Sequence, residues 1–180
     1  NGTAIRFIVG HQDTANGRTK LVTEKMITLK CFDAKEASNS NSDRKSYGNN
    51  RYSVSNIDQW LNSAAASWYS ARHSADAAPT NANVWSNYNE YDSEAGFLTN
   101  FEADFRAAIL DTTIRVALNT AAVMKTLPER SICCRTLKSA CPTKTASQKE
   151  RSGPTSTAPH VVSVCLRPKL SASPNIQVQT

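Results

Sequence analysis

The stretch "YGNNRYSVSNIDQWLNS", residues 47–63, joins a polar turn to a short helix signal. Ser55 followed three residues later by Asp58 makes a capping-box pattern, with Asp in place of the usual Glu. The apolar residues that follow have the spacing of one helix face: Ile57, Trp60, Leu61 and Ala64. The stretch therefore predicts a short helix near residues 56–65, with Trp60 in the core.

The residues before this stretch predict a small sheet. An apolar run in 3–13 is typical of a strand, and Asn16-Gly17 is a strong hairpin signal. Residues 20–33 alternate well enough for one or two further strands, and Cys31 in them is expected to be a buried structural thiol. The polar residues 34–46 are typical of a surface loop.

The residues after it predict a long loop, a helix and a strand. Residues 66–98 hold several aromatics among Asn, Ser and Asp, so the loop is expected to pack against the domain. Residues 99–110 predict a helix that begins with a Thr99–Glu102 capping box, and 112–118 a strand. The fold class is therefore α+β: a small antiparallel sheet or hairpin with two short helices and a long aromatic loop.

Charge divides the chain into two parts. Residues 1–120 carry 12 Lys+Arg and 13 Asp+Glu, whereas 121–180 carry 9 Lys+Arg and 2 Asp+Glu. All 13 aromatic residues precede residue 121, so the basic part offers no stacking platform for bases, and a specific nucleic-acid role is not expected. We predict a domain over 1–120 and an irregular basic tail over 121–180.

The cysteines do not predict a metal site or a disulfide framework. Four of the five lie in the tail, at 133, 134, 141 and 165, and His160 is the histidine among them. This spacing lacks the paired ligands typical of zinc sites, and an odd total does not suit a disulfide scaffold. We therefore expect no metal and no cofactor.

The sequence predicts no membrane span, because no apolar run approaches 18 residues. It has no recognisable signal peptide and begins with Asn1, so a fragment or a processed product is expected.

Six residues are candidates for binding a ligand: Tyr47, Asn49, Asn50, Arg51, Trp68 and Trp85. The alternative for the polar ones is local structure, with Gly48 and Asn49 forming a turn and Arg51 pairing with a carboxylate or with backbone carbonyls.

No catalytic residues are predicted. His73 beside Asp76 hints at acid–base chemistry, but a histidine in a polar loop is more often only solvated. The sequence contains no recognisable triad order, metalloprotease motif, phosphate loop or EF-hand loop. The chain is therefore predicted not to be an enzyme.

Three motifs resemble a bacterial and phage domain of unknown function that is found in surface-associated or tail-associated proteins. They are residues 47–63, "WYSARHSADAAP" (68–79) and "YDSEAGFLTNF" (91–101), in that order. The resemblance extends over residues 20–118 and implies similarity to the C-type-lectin and formylglycine-generating-enzyme fold group. It also implies a place at a cell surface, outside the cell or on a virion.

The family's later motifs are absent from the chain as written, but a shifted reading frame permits two of them. Codons for Leu137–Glu150, read from each third base, allow "EVGLPNENGIAEG", and those for Arg167–Thr180 allow "AEAVSKSEYTSSN". The same reading-frame shift permits both stretches. We therefore predict a frame slip near residues 118–124, which makes the domain a truncated one.

Three functions remain open. The resemblance favours a non-catalytic surface or phage-tail module that binds an unknown glycan or protein. A formylglycine-generating type of catalyst needs a late pair of reactive cysteines, and the tail cysteines cannot be matched to it. A frame-shifted pseudogene product would have no function.

Overall fold

The computed structural model describes residues 5–117 and four later strands, at 124–129, 131–134, 157–166 and 176–179. The described helices are α1 (Ser42–Tyr47), α2 (Asn56–Leu61) and α3 (Ala103–Ala108). The described strands are β1 (Ile5–Asp13), β2 (Arg18–Thr23), β3 (Thr28–Cys31), β4 (Thr112–Ala117), β5 (Met124–Glu129), β6 (Ser131–Cys134), β7 (Thr157–Leu166) and β8 (Ile176–Gln179). This mixture confirms the predicted α+β class.

The predicted hairpin at Asn16-Gly17 is present. Strands β1 and β2 pair antiparallel, with Asp13 opposite Arg18 and a four-residue loop between them. Gly17 adopts φ +60°, and the Asp13 carboxylate accepts hydrogen bonds from the backbone and the side chain of Asn16 at 3.2 and 2.8 Å. Local turn chemistry therefore fixes this register.

The larger sheet has the strand order β3-β7-β2-β1-β8, and β6 also pairs with β7. Strands β7 and β2 are antiparallel, whereas β1 and β8 are parallel. A separate two-stranded sheet pairs β4 with β5. Strands therefore occur beyond residue 120, where the sequence predicts an irregular tail.

Helix α2 begins as predicted and ends earlier. The Ser55 hydroxyl accepts a hydrogen bond from the Asp58 backbone N–H, which confirms Ser55 as the N-cap. The Ser55 N–H donates instead to the Tyr52 carbonyl at 3.1 Å, so the reciprocal half of the predicted capping box is not formed. The predicted extension to residue 65 is wrong, because the carbonyls of Ser63 and Ala65 accept hydrogen bonds from Leu98 and Gly96, both at 2.9 Å. Tertiary pairing replaces the last helical turn.

The helix predicted at 99–110 is confined to α3. A 3₁₀ turn at Phe97–Asn100 precedes it, and the Thr99 hydroxyl donates to the Gly96 carbonyl at 2.7 Å. Glu102 occupies the N-cap of α3 and makes no side-chain cap hydrogen bond. The predicted Thr99–Glu102 capping box is therefore wrong.

Helix α1 overlaps the end of the segment predicted as a surface loop and extends one residue beyond it, to Tyr47. The Asn41 side chain caps it by accepting hydrogen bonds from the backbone N–H groups of Asp43 and Arg44, both at 3.0 Å. None of its residues is buried. The helix has no apolar face, and hydrophobic periodicity therefore does not predict it.

A row of aromatic contacts forms the core. The Trp68 ring stacks on Tyr91 with centroids 5.3 Å apart, and Tyr91 meets Trp60 edge-on at 5.5 Å. The row continues, with centroids 5.0 to 6.0 Å apart, through Phe97, Phe101, Phe105 and Phe7. Trp60 is a core residue, as the sequence predicts. These contacts join the long loop, α2, α3 and β1 into one packed unit.

The helices can also be compared with those that span membranes. In the part of the chain that it describes, no helix combines the length and the apolar composition needed to cross a bilayer.

Candidate ligand-binding surface

A buried carboxylate holds the 47–63 stretch in place. The Asp33 oxygens accept hydrogen bonds from the backbone N–H groups of Asn49, at 2.7 Å, and of Asn56, at 2.9 Å. Burial raises the pKa of the Asp33 carboxyl to about 7, although the two hydrogen bonds lower it. Asp33 therefore clamps both ends of the segment that leads into α2.

The Asn56 side chain extends this network to the second motif. Its carbonyl oxygen accepts from the Ala34 backbone N–H at 2.7 Å. Its amide nitrogen donates to the Asp76 carboxylate at 3.3 Å and to the Ala77 carbonyl at 3.2 Å. One buried amide thus bridges three chain segments, as a satisfied interior polar group does.

Arg72 completes the network from the second motif. Its guanidinium donates to the Asp58 carboxylate and, at 3.1 Å, to the Ser53 carbonyl. Its backbone N–H donates to Asp76 at 2.7 Å. The motif residues Asn49, Asn56, Asp58, Arg72 and Asp76 therefore form a structural scaffold.

His73 lies in a less solvated place than the sequence predicts. Its Nε2 atom lies 3.4 Å from the carboxylate of Glu36, and the Glu36 side chain is buried. The other Glu36 oxygen accepts from the Asn39 amide. The pair links two loops, and the burial of Glu36 makes it part of the scaffold.

The six predicted ligand-binding residues divide by exposure. Asn49 and Trp68 are each 5% exposed. Asp33 holds Asn49, and Trp68 lies in the core. Asn50 is exposed and Arg51 is half-buried, with its backbone N–H donating to the Asn49 side chain at 2.9 Å. Only Tyr47 and Trp85 present large aromatic surface, at 44% and 37% exposure.

Tyr47 and Trp85 lie together although 38 positions separate them in the sequence. Their ring centroids are 6.3 Å apart and the rings are tilted by 48°. Tyr88, which is not among the six predicted residues, is 72% exposed three residues after Trp85. We call the Tyr47–Trp85 pair, together with Tyr88 three positions further along the chain, the aromatic patch.

The backbone around Trp85 and Tyr88 is unusual. Ser86, Asn87 and Asn89 all adopt positive φ, between 57° and 63°. Asn tolerates this left-handed region better than most residues, and such conformations concentrate at functional sites. The Asn-rich sequence 81–89 was the available signal for Tyr88, but composition alone does not show which aromatic rings remain exposed.

The other end of the aromatic patch is fixed at the end of α1. Tyr47 is the last residue of α1, and Gly48 follows with φ +79°. A Cβ atom at Gly48 would lie 2.4 Å from the Ala34 carbonyl oxygen. The backbone next to Tyr47 is therefore pressed against the segment that carries Asp33.

The described residues also bear on metal and thiol chemistry. Among them, no group of three or more His, Cys, Asp or Glu side chains is arranged to hold a metal ion. Cys31 is buried, and burial raises the pKa of its thiol to about 12. The predicted burial of this thiol is confirmed, and a thiol with a raised pKa is a poor nucleophile.

The fold and the aromatic patch define a small α+β domain with a rigid polar scaffold and an open aromatic surface. The chain belongs to the family described as domain of unknown function DUF6273, whose model matches residues 16–132. Neither a curated protein nor a solved structure matches the chain.

Proposed function

We propose that this chain is a non-catalytic module that binds a glycan through the aromatic patch. The observation that carries the proposal is the exposed pair Tyr47 and Trp85, with ring centroids 6.3 Å apart. Aromatic rings present a broad apolar face at low conformational cost, and sugar rings present apolar C–H faces that pack against it.

The surroundings of the patch favour a glycan over a protein. Asn81 and Asn87 are exposed beside the aromatics, and the Asn81 amide donates to the Asn87 carbonyl at 3.0 Å. Amides both donate and accept hydrogen bonds, which suits hydroxyl-rich ligands. Three aromatic side chains fall short of the roughly 800 Å² that each partner of a stable protein complex buries.

The scaffold supports binding by preorganisation. Val84, directly before Trp85, is fully buried, and Gly48, directly after Tyr47, is held against Ala34. Rings fixed in this way lose little freedom when a ligand arrives, so more of the contact energy remains as affinity.

The absence of catalysis is part of the proposal. The two groups with strongly raised pKa values, Asp33 and Cys31, are buried. Asp33 holds two backbone amides, and Cys31 lies in a strand. Their roles are therefore structural.

A glycan array tests the proposal. The full chain should bind at least one glycan, and Trp85→Ala or Tyr47→Ala should abolish the signal. Met26→Ala is the matched control, because Met26 is an exposed apolar residue between β2 and β3. Equal binding by all four proteins, or no binding at all, would contradict the proposal.

We propose separately that the last part of the chain is read out of frame; the sequence predicts the slip near residues 118–124, and the family match, which continues to residue 132, favours a slip at the later end of this region or beyond it. The two family-like stretches permitted by one shift, across Leu137–Glu150 and Arg167–Thr180, favour this. The natural domain would then continue differently, and this chain would carry only part of its function. Sequencing the DNA over these codons tests the idea, which fails if that frame contains a stop codon or does not encode the motifs.

A further inference from the structure

The geometry of the aromatic patch points to the shape of its ligand. We infer that the patch binds the interior of a single, soluble polysaccharide chain. This rests on the proposed glycan binding and adds two choices to it: an interior segment over a chain end, and a free chain over a crystalline surface.

The first choice follows from exposure. Tyr88 is 72% exposed, Tyr47 44% and Trp85 37%, so none of the three rings lies in an enclosed pocket. Recognition of a chain end requires walls that surround the terminal sugar, because specificity comes from groups that converge on it. An open surface lets the chain continue in both directions.

The second choice follows from orientation. The Tyr47 and Trp85 rings are tilted by 48° to each other. A flat crystalline face can lie only on rings that are close to coplanar. Successive sugars of a free chain can twist, so each ring can meet a sugar face that is turned relative to the one before.

The spacing agrees with this reading. A centroid separation of 6.3 Å is on the scale of neighbouring sugars in one chain, and the two rings come from separate segments, α1 and the 3₁₀ turn at Trp85–Asn87. Asn81 and Asn87 are exposed near the rings, and their amides can both donate hydrogen bonds to sugar hydroxyl groups and accept them.

Affinity gel electrophoresis of the full chain tests the inference. The soluble probes are laminarin, pullulan, arabinoxylan and polygalacturonate, together with the polysaccharide that carries the strongest array epitope. Microcrystalline cellulose and α-chitin serve as insoluble probes in a sedimentation assay. We expect retardation by at least one soluble chain and no sedimentation with the crystalline probes.

Variants and a length series complete the test. Trp85→Ala and Tyr47→Ala should each weaken binding by roughly 30-fold, the cost of losing a central aromatic anchor. Tyr88→Ala is a second variant at a highly exposed site where folding is not at risk, and Met26→Ala should keep full retardation. For oligosaccharides cut from the retarding chain, affinity should rise with length and then level off.

The outcomes separate the two proposals. Equal affinity for the monosaccharide and the longer oligosaccharides would overturn the inference, as would binding to crystalline probes alone. A positive, Trp85-dependent array with no retarding soluble chain would leave the proposed function standing and overturn this inference. No binding in either assay would overturn both.

Discussion

At the scale of single residues, Asp33 is the group on which the 47–63 stretch depends. Its carboxylate holds two backbone amides across 16 and 23 positions of sequence. Because its pKa in the fold, about 7, exceeds the ordinary aspartate value of 3.8, the folded state holds the proton more tightly than the unfolded chain does. The stability due to this group is therefore fully present below about pH 4 and is lost as the pH rises through 7.

In the wild type, the free energy of unfolding should decrease as the pH rises from 4 to 7. Asp33→Asn should make this decrease smaller. The wild-type slope from this group is at most about 1.4 kcal/mol for each pH unit. At acidic pH the variant should also be less stable by about 1–3 kcal/mol, because an amide places a donor against a backbone N–H. Urea titrations followed by far-UV circular dichroism measure both effects.

Asp13→Asn is the control for this experiment. Hydrogen bonds from Asn16 lower the pKa of the exposed Asp13 carboxyl, so the stability due to this group is present above about pH 4 and is lost only as the pH falls below that value. The slope between pH 5 and 7 should be unchanged by it. A wild-type slope that persists in Asp33→Asn would rule out Asp33 as its source.

At the scale of elements, α1 buries no residue of its own, and its N-terminus depends on the Asn41 cap. None of its residues is buried, and Asn41 satisfies the first amides. Asn41→Ala should destabilise the helix by about 1 kcal/mol. Amide hydrogen exchange should quicken at Lys45 and Gly48, whose N–H groups donate within this helix.

The comparison for Asn41→Ala is Ser46→Ala, an exposed site within the same helix. It should leave exchange at Lys45 and Gly48 nearly unchanged. Equal acceleration by both substitutions would show that the cap is not the cause.

Gly48 ends α1 in a conformation that favours glycine. With φ +79° and ψ −172°, an alanine would be strained, and its Cβ atom would meet the Ala34 carbonyl oxygen at 2.4 Å. We expect Gly48→Ala to lower the free energy of unfolding by about 1–3 kcal/mol. Gly10→Ala, where the nearest atom is a Val22 methyl group at 3.2 Å, should cost less in the same urea titration.

Elements with a local signal were predictable from the sequence. The Asn16-Gly17 turn, the Ser55 cap and the buried Trp60 each follow from residues within one or two helical turns. The clamp by Asp33 was not, because its partners are distant in sequence and no periodicity relates them. For the same reason, the sequence indicates Tyr47 and Trp85 only as separate candidates and does not predict their contact.

The polar character of the 47–63 stretch was misleading in one respect. Asn49 lies in a polar run and is therefore predicted to be an exposed ligand-binding residue. In the structure it is buried, and its backbone N–H donates to the buried Asp33 carboxylate. Trp68, which lies in a loop, is also predicted to bind a ligand, but it stacks on Tyr91 in the core. Burial depends on tertiary packing, which composition does not reveal.

At the scale of the whole molecule, the aromatic core and the tail can be separated by experiment. The described core cluster lies between Phe7 and Ile109. We propose that a chain ending after residue 134 still unfolds cooperatively and keeps its near-UV circular dichroism. It should be less stable than the full chain, because β7 pairs with β2 and β3.

This truncation tests the predicted division near residue 120. Loss of cooperative unfolding would show that β7 is integral to the domain, and the tail would then have to be regarded as part of the fold. A shorter chain that ends after residue 117 serves as the comparison, because it also removes β5 and β6.

The row of aromatic rings has an optical consequence. Trp60 and Trp68 are buried beside Tyr91, whereas Trp85 lies on the surface beside Tyr47. The two interior indoles should emit at shorter wavelength than the outer one, and a dissolved quencher should reach only the latter. The emission of Trp60 and Trp68 should therefore report loss of the core, and the emission of Trp85 should report ligand binding at the aromatic patch.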